Sequence, residues 1–455
     1  MYGSKAGNLI KLSSNGVTVP KTWVIRNSYP LSILKRNNID LYDINTVHNF
    51  FAEHFDAYNE LYEAVEKFTK ENKEIKRFAI RSSQEYEDGN EMSFSGLFYT
   101  ALNIGNTANI VNSIIKCWKE SFNKGIMEYS RKNKHFKPVP CSIIIQQFIM
   151  SDRAGVAFKS KNKIIIDSNY GLAKSIVDGD TGVDEWVVNA ENNKVINYSS
   201  NKEKINIPIT SRVNPNPEEI VEYGEYKNLK VKKFNNADSI IEVELPPEFK
   251  DAPSLNYSEI ENLIKKCDTV SQILKINDYD IEWAFDKEKI YILQCRPLTR
   301  AVEIDIRSNN KLDSNYGIGL VKGEATAKAI KVYDDNTAIK FEKGGILVTK
   351  RLSGNILLAA SKAIGCIIES KSPLSHSAII ARELGIPVIG NVDLKKIHNG
   401  EIYYMNGLTG EYKVVNNNIK TIEKDKMEFK EDKIKNKKTR EYIKDMLYTF
   451  EQNII

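Results

Sequence analysis

The sequence predicts a mixed α/β (α+β) protein in two modules, a large one over residues 1–300 and a small one over 317–415. Three observations predict it. Short runs of β-branched and aromatic residues, bounded by turn formers, alternate with amphipathic helical stretches through both modules. The runs 280–285 and 289–294 are separated by Asp286-Lys-Glu288, a hairpin connection. Residues 301–316 between the modules turn polar, as a linker does.

In chain order, Gly3-Ser-Lys5-Ala-Gly-Asn-Leu9 is a small-residue turn that opens a helix. Strands are expected at 77–81, 141–146, 163–167, 185–188, 280–285 and 289–294, with helices at 107–124 and 256–274. The small module carries strands near 327–332, 345–348, 365–368 and 387–390, interleaved with helices. Residues 416–455 are rich in Lys and Glu and read as a charged helical tail. No internal repeat is visible.

A net charge of +5 over 455 residues, with lysines largely matched by acids, argues against a nucleic-acid partner. The five cysteines are scattered without a CxxC pair, the usage of core thiols in a reducing compartment. No stretch is apolar enough for a membrane span or an N-terminal signal, so the expected location is the cytoplasm.

Five segments are polar beyond what a core needs. Lys5 stands at a helix start, where backbone N–H groups and one ammonium can approach phosphates; a surface lysine would look the same. Arg81 closes an apolar strand and projects from a sheet end, able to grip phosphate or to form a strand-end salt bridge. Gly96 in Ser93-Phe-Ser-Gly96-Leu-Phe-Tyr-Thr100 permits close backbone approach. Gln146 ends a strand, where its amide reads a base or ribose or simply bonds to solvent. On the hairpin, alternation puts Asp280 and Glu282 on one face and Gln294 and Arg296 together on the partner strand. Carboxylate and amide oxygens beside an arginine suit a Mg²⁺–nucleotide site, since Mg²⁺ takes hard oxygen ligands and keeps water and phosphate in its shell. A polar outer face is the plainer alternative. The fifth segment is Ser375-His376-Ser-Ala-Ile-Ile-Ala-Arg382-Glu-Leu-Gly385-Ile-Pro387, which places an imidazole at the first turn of a short helix.

These segments together, in this order, resemble the family of phosphoenolpyruvate synthase, pyruvate phosphate dikinase and rifampin phosphotransferase. Residues 1–300 resemble its ATP-grasp nucleotide-binding unit in two lobes. Residues 317–415 resemble its swivelling phosphohistidine domain. The resemblance implies that Lys5, Arg81, Gly96, Thr100, Gln146, Asp280, Glu282, Gln294 and Arg296 contact ATP. It implies that Glu282 and Gln294 hold Mg²⁺, and that His376 and Arg296 are catalytic. The implied reaction moves the β-phosphoryl of ATP to His376 and on to a small-molecule acceptor, releasing AMP; pyruvate is the family's default acceptor. Two alternatives stand beside it: a donor and carrier subunit whose acceptor domain is a separate chain, because no acceptor domain is recognisable here, and a non-catalytic nucleotide-binding regulator. Where the family usually has Gly-Gly before the histidine, this chain has Lys371-Ser372.

Overall fold

The computed structural model describes residues 2–53, 58–84, 88–89, 92–93, 99–122, 138–177, 181–209, 219–224, 226–235, 239–298, 315–333, 337–338, 340–350, 352, 356–369 and 385–415. The chain divides into two compact units, Met1–Val177 with Thr181–Asp305, and Ile306–Ile455. The expected tail at 416–455 lies outside the described residues.

The first unit contains two antiparallel sheets that matter for function. The smaller has the order Thr22–Ile25, Ser142–Gln147, Phe78–Ser83, Thr100–Ile104. Alternation divides its faces. Phe78, Ile80, Ile143 and Ile145 enter a core with Phe50, Phe51, Leu61, Val65 and Trp118 from the helices Ile44–Glu53, Asn59–Glu71 and Thr107–Glu120. Arg81, opposite Thr100 and Ile144, and Gln146, opposite Ala79 and Thr22, therefore occupy the other face. Arg81 is not at a strand end as expected. Its strand runs on to Ser83 because Ser82 and Ser83 keep pairing with Ile143 and Ser142.

The larger sheet has six strands in the order Val195–Ser200, Asp184–Asn189, Lys163–Tyr170, Arg153–Ser160, Tyr279–Asp286, Lys289–Pro297. The helix Tyr257–Leu274 covers one face, burying Leu263, Ile264 and Val270 against Ile164, Ile166, Ile281, Trp283 and Ile292. A capping box starts this helix: Asn256 Oδ1 accepts from the Glu259 N–H at 2.9 Å, and Glu259 Oε2 accepts from the Asn256 N–H at 2.8 Å. Asn256→Ala should cost about 1 kcal/mol, read as a lowered urea midpoint at unchanged slope. No change in midpoint would mean that the cap contributes nothing.

The hairpin between the last two strands is tighter than expected. Pairing continues to Asp286 and Lys289, leaving the two-residue turn Lys287-Glu288, with Lys287 at φ 56°. A third sheet, unpredicted from sequence, runs Lys204–Pro208, Ile240–Glu244, Tyr226–Asn235, Ile220–Tyr223 around Leu229, Val231, Ile241 and Val243. Where it meets the six-stranded sheet, the ammonium of Lys202 contacts Asp184 Oδ1, both side chains fully buried.

The N-terminal helix Ser4–Ser14 serves both main sheets. Ala6 and Leu9 pack on Ile144 of the smaller sheet, while Leu12 joins the core of the larger one.

The second unit is built on a seven-stranded sheet: Ile318–Val321, Val388–Gly390, Gly365–Ile368, Ile346–Thr349, Glu324–Lys331, Ile402–Asn406, Tyr412–Val414. The pairs from Val388–Gly390 through Glu324–Lys331 are parallel and the outer ones antiparallel. Ile346, Val348, Ile367, Ile389, Leu394 and Met405 form its core. All five cysteines of the chain are buried free thiols. Among the described residues no helix is long and apolar enough to cross a membrane.

Candidate active site

The faces of the two main sheets turned away from the cores around Trp118 and Trp283 bring Arg81 to the hairpin. Arg81 Nη1 donates to Glu282 Oε2 at 3.3 Å and to Gln294 Oε1 at 3.2 Å, across 201 and 213 residues of sequence. Glu282 and Gln294 are cross-strand partners, as are Asp280 and Arg296 one step along. Directly opposite residues in an antiparallel pair share a face, so all four side chains lie together. Arg296 Nε donates to Asp280 Oδ2 at 2.7 Å, and its Nη2 lies 2.5 Å from the same oxygen. Each guanidinium thus rests on one carboxylate.

A bulge makes this possible. Glu282 faces Gln294 but Trp283 faces Ile292, so Leu293 is an extra residue. Ile290 and Ile292 point into the core; Cys295 does too. Strict alternation from Ile290 would have buried Gln294 and Arg296 with them. The bulge also brings the Leu293 carbonyl to Gln146, whose Nε2 lies 3.5 Å from it and 3.4 Å from Thr22 Oγ1. Gln146 is therefore buried, at 1% exposure, and not a solvent-facing strand end. The reason is its interior strand, flanked on both sides by pairing partners.

Lys5 sits in the first turn of the helix Ser4–Ser14, half-buried. That helix is anchored at its start by Ser4 N–H to Gln84 O (3.3 Å) and Ala6 N–H to Ser83 Oγ (3.1 Å). Further along, Asn8 Nδ2 donates to Cys295 O at 3.0 Å, tying the Lys5 helix to the strand that carries Gln294 and Arg296. Asn8 was inside a segment singled out from sequence yet carried no assignment. Its spacing of three from Lys5 was the available signal. Thr100 is an exposed strand start opposite Arg81. Gly96 and His376 lie outside the described residues, as do Lys371 and Ser372.

Two further acids were missed. Across the sheet from Glu282 the register continues through Val156 to Asp167 and Glu185, placing both on the same face. Burial pushes the Glu185 carboxyl up from its usual range. Among the described residues no three His, Cys, Asp or Glu side chains gather as a metal cluster. The donor set fits a magnesium ion shared with a phosphate: two hard oxygens, Glu282 Oε2 and Gln294 Oε1, converge on one cationic nitrogen.

Residues 1–315 match the model of the pyruvate phosphate dikinase AMP/ATP-binding domain, and residues 341–410 match that of the PEP-utilising enzyme mobile domain. A probable phosphoenolpyruvate synthase of Archaeoglobus fulgidus is 29% identical over 366 residues, covering 76% of this chain and 45% of that protein. One from Pyrococcus horikoshii is 26% identical over 440 residues, covering 90% and 50%. The phosphoenolpyruvate synthase of Pyrococcus furiosus is 28% identical over 380 residues, covering 77% and 42%. The chain spans about half the length of these relatives.

Proposed function

The chain belongs to the pyruvate phosphate dikinase and phosphoenolpyruvate synthase family, and from that premise we propose that it is an ATP-dependent phosphotransferase working through a phosphohistidine. The observation that carries this reading is the meeting of Arg81 on one sheet with Glu282 and Gln294 on the other. A patch of opposed charges that the fold's core does not need suits a polyanion and its metal.

In this reading Lys5, Arg81, Gly96, Thr100 and Gln146 contact ATP, and Asp280 sets the fork of Arg296 toward the phosphates. Glu282 and Gln294 hold Mg²⁺, which would offset phosphate charge when bound. Phosphoryl transfer demands alignment and charge stabilisation more than covalent help, which is what fixed arginines on sheet strands supply. The imidazole of His376 attacks the β-phosphorus; the bond from that phosphorus to the α-phosphate oxygen breaks, and AMP leaves. The γ-phosphoryl is then lost to water or phosphate, and the remaining phosphoryl passes to a small acceptor. Pyruvate is the first acceptor to test, because relatives bear the name phosphoenolpyruvate synthase.

The test uses the full chain with Mg²⁺ and ATP labelled separately at the β and γ positions. Acid-labile, base-stable protein label from the β position, with AMP as nucleotide product, is expected. Accumulation of ADP in place of AMP overturns the assignment of β attack.

A further inference from the structure

The Arg81 guanidinium lies where the proposed metal would be. Its Nη1 bridges Glu282 Oε2 and Gln294 Oε1 at 3.3 and 3.2 Å. The Arg81 and Glu282 side chains are 13% and 17% exposed, so water screens their pairing little. The Nε of Arg81 is buried without a hydrogen-bond partner. The guanidinium is therefore placed by the two oxygens and not by its full set of donors. Yet the same arginine is assigned to the phosphates. It cannot serve both at once: a guanidinium on these oxygens blocks a dication, and a dication there repels the guanidinium.

We propose that Arg81 is an internal counter-ion of the Glu282–Gln294 pair, exchanged for the divalent cation when the triphosphate arrives. This rests on the reading of the nucleotide site above. The phosphates draw the guanidinium off the oxygens, and the cation takes the oxygens so released. Metal alone and nucleotide alone both bind weakly, because each must break the Arg81 contact without the other's help. Together they bind in a coupled step.

Two single variants of the full chain test this from opposite sides. Mn²⁺ stands in for Mg²⁺, with its free fraction read by electron paramagnetic resonance and no nucleotide present. Arg81→Met should bind Mn²⁺ at least about tenfold tighter than the parent, the scale of one charged hydrogen-bonded contact removed. In EDTA, Glu282→Gln should bind metal-free ATP several-fold tighter than the parent, because Arg81 is no longer held. Loss of a merely structural contact would weaken both. Mn²⁺ affinity in Arg81→Met at or below the parent's overturns the exchange; should that variant fail to fold, metal-free ATP affinity in Glu282→Gln at or below the parent's does so. Failure of the underlying reading looks different: the parent then binds no ATP even with Mg²⁺.

Discussion

Replacing His376 with alanine is expected to remove the β-derived protein label, leaving roughly 10³-fold less or no detectable transfer to acceptor. The imidazole is the only side chain in the proposed route that forms a bond to phosphorus, so no neighbour takes its place. Two properties suit it. A neutral imidazole is available near pH 7. The motif is expected to put it at a helix start, where N–H groups favour the negative charge that arrives with the phosphoryl group. Equilibrium ATP binding should be unchanged, since the proposed nucleotide contacts belong to the first unit. Retention of the label in the alanine variant, or its recovery on a different residue by mass spectrometry under alkaline conditions, would sink the proposal.

The second large effect concerns stability. Asp184 and Lys202 are completely buried and in contact. Asp184 also accepts from Tyr198 Oη at 3.0 Å and from the Ser254 N–H at 2.6 Å, and Lys202 Nζ bonds Ser200 Oγ at 3.0 Å. Burial pulls the Lys202 ammonium below its ordinary pKa, and the contact with Asp184 opposes that pull. Asp184→Ala leaves a buried cation without the carboxylate it contacts and strands two donors. The expected cost is about 3–5 kcal/mol, seen as a fall of roughly 10 °C in the melting temperature of the first unit. The double variant Asp184→Leu with Lys202→Met should recover most of it, because apolar side chains of similar size can replace a buried ion pair. A melting point within about 2 °C of the parent for Asp184→Ala would show that the pair does not hold these strands together.

Much of the site was legible because strand parity is local. Asp280 with Glu282, and Gln294 with Arg296, could each be put on one face of their own strand from spacing alone, and the register brings the two pairs together. That meeting depends on the bulge at Leu293. Counting from the turn, where Ile290 and Ile292 mark the core side, would have given the opposite answer. Contacts made at a distance left no local trace. Nothing in the neighbourhood of Arg81 announces Glu282, since that pairing is made by two sheets coming together, whereas Lys202 meets Asp184 because Ser200, two residues before it, pairs directly with Asp184. The third sheet was missed for a compositional reason. Its strands carry Lys and Glu at alternate positions, such as Lys230 and Lys232 beside Val231, inside a stretch already rich in Lys and Asn. The residues that bury it, such as Ile205, Ile207, Leu229, Val231, Ile241 and Val243, recur at every second position, and that alternation was the available signal.

The helix Ser4–Ser14 belongs to two cores at once, through Ala6 and Leu9 on one side and Leu12 on the other. The lobes it joins cannot therefore melt independently: losing either core frees the helix and exposes the other. Calorimetry should give one transition for both lobes, and their central amides should lose hydrogen-exchange protection at a common free energy. The ground that positions Lys5 is then also the hinge of cooperativity, so nucleotide held there would stiffen the whole first unit and not one lobe of it.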